Sequence, residues 1–374
     1  MTPRWTPLLR SLREPACMAS HDDATWDLLL RQALAAGVLA RLGALAREAG
    51  VEPELPLPVR RQMRALLAVS AEQRRAVRWE LVQLSRDLAA LRGPVLLLKG
   101  AAYVAGDLPP APGRLFSDID LLVSRDQLDE AEAALMLAGW VSAAGTSYDE
   151  RYYRLWMHEL PPMIHLRRQT NLDLHHNILP LTARIKTHSA PLLAASEPVA
   201  EFPRFSLPSA LDQILHSATH LMHEGEWGHG LRDLADLDSL LRRQADQPGF
   251  WDALLDRAAL LGLGRPLFYG LSQCRRWLLT PVPDRVLERC PARPGPLTRR
   301  LMDAVFARAL TSAHRGSMAP GTRLAEFALY IRSHYLRMPL HLLLPHLVVK
   351  AVGNRPPRPA STGTATAAEP ADPR

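Results

Sequence analysis

The stretch "GRLFSDIDLLV", residues 113–123, places two carboxylates, Asp118 and Asp120, directly before an apolar Leu-Leu-Val. In a strand, residues i and i+2 point the same way. The two acids therefore project together while Ile119 turns into the core. Two like charges at that spacing repel unless a cation lies between them. Magnesium suits the place, because it is hard, prefers oxygen, and takes one or two carboxylates plus substrate phosphates. Chemistry that uses two such ions calls for a further acid. Asp173, in "TNLDLHHNIL" (170–179), lies on the polar side of a second alternating strand, opposite Leu172 and Leu174. Strand pairing can bring it beside the other two. The plainer alternative is a solvated turn at a strand end.

Working outward, "GPVLLLKG" (93–100) is a short apolar run closed by Gly100 and reads as a buried strand. Helix-forming "AAYVAGDL" and the loop "PPAPGR" follow. "RDQLDEAEAALMLAGW" (125–140) is an amphipathic helix ending at Gly139, while "RYYRLWMHEL" (151–160) and "PMIHLRRQ" (162–169) read as strands of a meander. Residues 93–205 thus mix α and β. Before them, residues 1–92 read as helical: Leu and Ala recur at helical spacing over 24–49, Gly50 stops the run, prolines 53, 56 and 58 form a linker, and a long helix covers roughly 59–92. Residues 206–352 are helical again, starting at Ser209 as an N-cap. The last stretch, 353–374, is rich in Pro, Ala and Thr and is expected to be disordered. The expected fold class is α+β, a small mixed β-sheet core between N-terminal and C-terminal helical regions.

Composition narrows the function classes. The formal charge of +7 suits phosphate-bearing partners, but the arginines are scattered and no aromatic-and-basic strip for single-stranded nucleic acid is visible. A GC-rich genome that writes Arg for Lys, together with an Arg-bearing tail, is the better explanation of the balance. The three cysteines, 17, 274 and 290, are far apart, which argues against a disulfide framework or thiolate metal site and fits a reducing cytoplasm. The N-terminus carries Arg4, Arg10 and Arg13 without an apolar segment, so no signal peptide is expected. No apolar run reaches the length of a membrane span; "MPLHLLLPHLVVKAVG" (338–353) comes nearest and is broken by His341, Pro345, His346 and Lys350. Oligomeric state is not legible.

"LLLKGAAYVAGDLPPAPGRLFSDIDLLV" (96–123) resembles the uncharacterised nucleotidyltransferase family of the DNA polymerase β-like superfamily. The resemblance rests on Lys99, Gly100, Arg114, Ser117, Asp118, Ile119, Asp120, Leu121, Leu122 and Val123. It continues through Asp173-Leu174-His175, a helix with His216, His220 and His223, and "GLRDLADLDSLL" (230–241), covering roughly 85–245. It implies a small mixed sheet flanked by helices, and transfer of a nucleoside monophosphate from an NTP to an acceptor, a small molecule or a protein. It also implies that Asp118 and Asp120 hold Mg²⁺, in a site of two ions, and that Asp173 is the third acid, activating the acceptor hydroxyl. Lys99, Gly100, Arg114 and Ser117 would meet the nucleotide. One departure is plain: the superfamily's Gly-Ser is Gly100-Ala101 here, which removes a hydroxyl donor. Lys99, one of only three lysines, can replace it as a point charge on phosphate. A module that kept this fold and lost catalysis is the competing expectation, and a helical nucleic-acid binder a third.

Other residues leave alternatives open. Lys99 either caps its strand in solvent or touches phosphate, and Arg114 either pairs with a carboxylate or grips phosphate. His216, His220 and His223 share a helix face, with Glu224, Glu226 and His229 nearby; they can line a cleft, bind zinc or simply pack.

Overall fold

The computed structural model describes residues 5–143, 146–223, 225, 227–311, 313–314, 318–343 and 345. The expectations for the tail 353–374, for Glu224 and Glu226, and for much of 338–353 lie outside these residues.

The N-terminal region is helical: α1 (Thr6–Arg13), α2 (Asp23–Ala35), α3 (Leu39–Glu48) and α4 (Leu57–Asp87). The Asp22 carboxylate accepts the Thr25 N–H at 2.8 Å and starts α2. The Leu/Ala run over 24–49 is two helices rather than one, because the chain turns at Gly37, with φ +69°. No single helix among the described residues is long and apolar enough to cross a membrane.

A seven-stranded sheet follows: β1 (Val95–Leu98), β2 (Ile119–Leu122), β3 (Trp140–Ser142), β4 (Met163–His165), β5 (Asn171–His175), β6 (Glu197–Pro198) and β7 (Phe205–Leu207). Its order is β3-β4-β5-β2-β1-β7-β6. The pairs β2–β5 and β1–β7 are parallel and the rest antiparallel. Four helices interrupt it: α5 (Lys99–Ala105), α6 (Leu128–Leu137), α7 (Ser147–Trp156) and α8 (Ala190–Ala194). The C-terminal helices are α9 (Ala210–His223), α10 (Gly230–Gln244), α11 (Phe250–Leu260), α12 (Gly264–Leu278), α13 (Asp284–Arg289), α14 (Pro296–Ala309) and α15 (Thr322–Arg337). Ser209 caps α9 by accepting the Asp212 N–H at 3.2 Å. The molecule is α+β, as the sequence predicts.

Strand alternation sorts the core into two layers. Val95, Leu97, Ile119, Leu121, Leu172 and Leu174 pack with α4 and α6, through Leu81, Leu84, Ala131 and Leu135. Leu96, Leu98 and Leu122 face the other way, toward the N- and C-terminal helices. Asp120 lies on the Leu122 side of β2, and Asp173 and His175 lie on the matching side of β5. The acids therefore sit under the helical layer and not in the α4–α6 layer.

Several local expectations need correction. Residues 151–160 are not a strand; α7 covers most of them. Thr146 caps it by accepting the Asp149 N–H at 3.1 Å, Arg154 pairs with Glu150 four residues back, and Tyr152 and Trp156 meet edge to face. Helical i,i+4 pairing thus outweighs the strand preference of the aromatics. Of "PMIHLRRQ" only Met163–His165 is extended. The helix expected over 125–140 ends at Leu137, and after Gly139, with φ +99°, Trp140 opens β3. The long helix stops at Asp87 rather than near 92. Strand β7, at the edge of the expected helical region, pairs in parallel with β1.

Leu121 is fully buried whereas Leu137 is 91% exposed. Leu121→Ala is expected to destabilise the fold by about 2–5 kcal/mol, and Leu137→Ala by no more than about 0.5 kcal/mol. Urea unfolding of the two variants measures the difference.

Candidate active site

Parallel pairing of β2 with β5 sets Asp120 opposite Asp173 and Leu122 opposite His175. Antiparallel pairing of β1 with β2 sets Leu98 opposite Asp120, so the next residue, Lys99, starts α5 beside that carboxylate. Lys99 has φ +44°, a backbone region uncommon outside glycine. Its Nζ donates to Asp120 Oδ1 at 2.7 Å. His175 Nε2 lies 3.0 Å from the same oxygen, which makes Nε2 the donor to a carboxylate. Asp120 is buried, 2% exposed. Burial works against its charge, but Lys99 and His175 outweigh it and hold the carboxyl well below the usual carboxylate range. Burial likewise opposes the Lys99 charge, and Asp120 more than restores it.

Asp173 behaves in the opposite way. Burial, and then the charge of Asp120, push its carboxyl up to about 7. The donor atoms of Asp120, Asp173 and His175 lie within 4.8 Å of one another. Asp118 belongs to no such set among the described residues; it precedes β2 and accepts from Ser117 Oγ at 2.9 Å.

A cavity of about 130 Å³ is lined by Lys99, Gly100, Arg114, Ser117, Asp118 and Asp120, together with Tyr103, Phe116, His220, Arg232, Asp233 and Asp236. It gathers every residue assigned from the sequence to the metal or the nucleotide except Asp173, which joins through its strand partner. Space is tight: a Cβ on Gly100 would come 2.8 Å from Phe116 Cδ1. A second cavity of about 260 Å³ shares Ser117 and Asp118 and extends along α4 past Trp79 and Glu80 to Arg168 and Thr170.

The chain matches the family described as "Uncharacterised nucleotidyltransferase" over residues 22–279, more than half of its length. It belongs to that family. No curated protein and no solved structure matches it. The family match begins in the N-terminal helices and runs on through α12, so helices on both sides of the sheet are part of the shared unit.

The way those regions hold the site explains why. Arg114 Nε donates to Asp236 Oδ2 at 2.7 Å, and Asp233 lies 3.9 Å from the same guanidinium. The other Asp236 oxygen accepts from Arg41 of α3. Arg41 also donates to Pro110 O, Ala235 O and Ser239 Oγ. One carboxylate on α10 thus ties α3 to the loop that delivers Ser117 and Asp118. Burial alone would lower Arg114, but Asp236 and Asp233 keep it charged. Arg114 therefore has the carboxylate partner that was one of its two expected roles.

His216 of α9 is buried over the cluster; burial, then the nearby Lys99 charge, keep its imidazole neutral. His223 is pushed down to about 4 by burial and by Arg332, and its Nδ1 lies 3.2 Å from Thr219 O. Among the described residues none of His216, His220 and His223 joins a metal-ligand set.

Sequence reasoning missed Arg41, Asp233 and Asp236 as holders of the site, and His158 and Glu159 beside His175. The "RDLADLD" repeat of acids at helical spacing is the signal for the first group. No signal marks the second once 151–160 is read as strand.

Asp236→Ala leaves buried Arg41 without its carboxylate and Arg114 with only Asp233, at 3.9 Å. A loss of about 3–5 kcal/mol is expected, measured by urea titration at neutral pH.

Proposed function

We propose that the protein is a magnesium-dependent nucleotidyltransferase that moves a nucleoside monophosphate from an NTP to a small-molecule or protein acceptor. The observation that carries this is the in-register opposition of Asp120 and Asp173 on parallel neighbouring strands. The residues fit a divalent cation. A carboxyl pushed up to about 7 by burial and by its neighbour's charge belongs to an acidic pair short of positive charge. Asp120 and Asp173 would hold the ion, with Asp118 as a further oxygen donor on the same cavity. A bound Mg²⁺ would neutralise phosphate oxygens there.

The chain's own groups supply the rest. Lys99, Arg114 and Arg232 would meet the triphosphate in the 130 Å³ cavity, which Asp118, Asp120, Asp233 and Asp236 also line. Gly100 keeps that wall clear of a side chain. Asp173 is the acid that would take the proton of an acceptor hydroxyl. His175 holds Asp120 in place.

A second reading has an observation of its own. Lys99 and His175 both already engage Asp120 Oδ1, and Ala101 stands where the superfamily has serine. Both favour a binding or regulatory module without catalysis. Incubation with each α-labelled NTP, Mg²⁺ and cell extract separates the readings. Label transfer is expected from the natural chain, abolished by Asp118→Ala and reduced about 10²–10⁴-fold by Asp173→Asn. Equal transfer by all three proteins overturns the site. No transfer, combined with thermal stabilisation by an NTP, selects the module.

The raised Asp173 carboxyl also makes stability depend on pH. The folded chain holds this proton more tightly than the unfolded chain, so the favourable contribution is complete below about pH 4 and is lost as pH rises through about 7. In metal-free buffer Asp173→Asn is expected to raise the melting temperature at about pH 8 and to leave it nearly unchanged at about pH 4. Differential scanning calorimetry at the two pH values checks the sign.

A further inference from the structure

Residues 158–160, which follow α7, run antiparallel to the end of β5. Leu160 N–H donates to Leu174 O at 2.9 Å, His176 N–H to His158 O at 2.8 Å and Asn177 N–H to the same oxygen at 3.2 Å. Glu159 stands opposite His175 in an isolated bridge. The backbone thereby fixes three side chains around one point. His175 Nδ1 lies 3.1 Å from Glu159 Oε2, and His158 Nε2 lies 3.8 Å from that oxygen. Donor atoms of all three residues fall within 4.8 Å of one another.

One nitrogen decides what this cluster is for. The His175 side chain is 3% exposed, and its Nε2 is committed to Asp120. Its Nδ1 faces the Glu159 carboxylate at 3.1 Å and makes no aligned hydrogen bond to it. His158 Nδ1 is buried without a partner as well. Tetrahedral zinc with bonds of about 2.0–2.2 Å sets its ligand atoms roughly 3.4 Å apart, and the two measured separations straddle that value.

We propose that His158, Glu159 and His175 form a zinc-class metal site, distinct from the magnesium site assigned to the acidic pair. Two imidazoles and a carboxylate form a borderline donor set that selects a transition-metal ion over magnesium. The Asp120–His175 contact is then the carboxylate that orients a metal-bound histidine. A fourth position is left for water or another ligand. The site stands independently of nucleotidyl transfer.

The test uses the full chain, stripped with a chelator and dialysed. Zn²⁺ is titrated against a competing colorimetric chelator, and Co²⁺ is followed by its visible absorption. One tight equivalent per chain is expected, with a tetrahedral Co²⁺ spectrum and no displacement by millimolar Mg²⁺. Glu159→Gln and His158→Ala, checked for folding by circular dichroism, are expected to weaken binding by more than the roughly 10–100-fold typical of losing a supporting residue. Asp118→Asn is expected to keep it. Binding that is equal in the natural chain and Glu159→Gln overturns the site, as does loss of binding in Asp118→Asn or the absence of any tight equivalent.

Discussion

A carboxylate with 2% exposure has to be held by positive charge or hydrogen bonds, and Asp120 is held by both. Lys99 and His175 converge on one of its oxygens from the two neighbouring strands. Each is placed by its strand: Lys99 follows the residue opposite Asp120 on β1, and His175 lies two residues past the one opposite it on β5. The positive φ at Lys99 fits this account, because an uncommon backbone state persists only where its surroundings over-determine it. The ion pair fixes the turn from β1 into α5, and that turn forms the wall of the cavity. Removing either partner would leave a buried charge exposed to low dielectric, so the cluster's geometry and the sheet's geometry cannot be changed separately.

Asp236 repeats the same logic one layer further out. It sits between Arg41 and Arg114 and draws together helices on both sides of the sheet region in sequence. The loop carrying Ser117 and Asp118 has no regular structure of its own, and this buried triad substitutes for it. A family match that spans helices as well as sheet is what such a dependence requires.

The chemistry-bearing pattern was legible where side-chain period and charge disagreed with burial. Asp118-Ile119-Asp120 and Leu172-Asp173-Leu174 each announce one apolar and one polar face, and the sheet sets Asp120 and Asp173 together. The α+β class followed from the contrast between Leu/Ala-rich flanks and the mixed middle. What was not legible depended on pairing across long stretches of chain. Residues 151–160 carry strand-forming aromatics, yet a threonine cap and two i,i+4 contacts make them a helix. Strand β7 is three residues long and is defined by its partner β1. The role of Arg114 could not be separated from sequence, since its partner lies on α10, far along the chain.

The parallel register of β2 against β5 has a consequence for how the molecule reaches its native state. Sliding either strand by one position would reverse its two sides, driving carboxylates into the Leu-rich layer under α4 and α6 and turning leucines toward Lys99. Such a misthreaded chain would forfeit its oily contacts and its ion pairing in the same stroke. The acids thus favour the native register over a slipped one, a preference that a purely aliphatic pair of strands would lack.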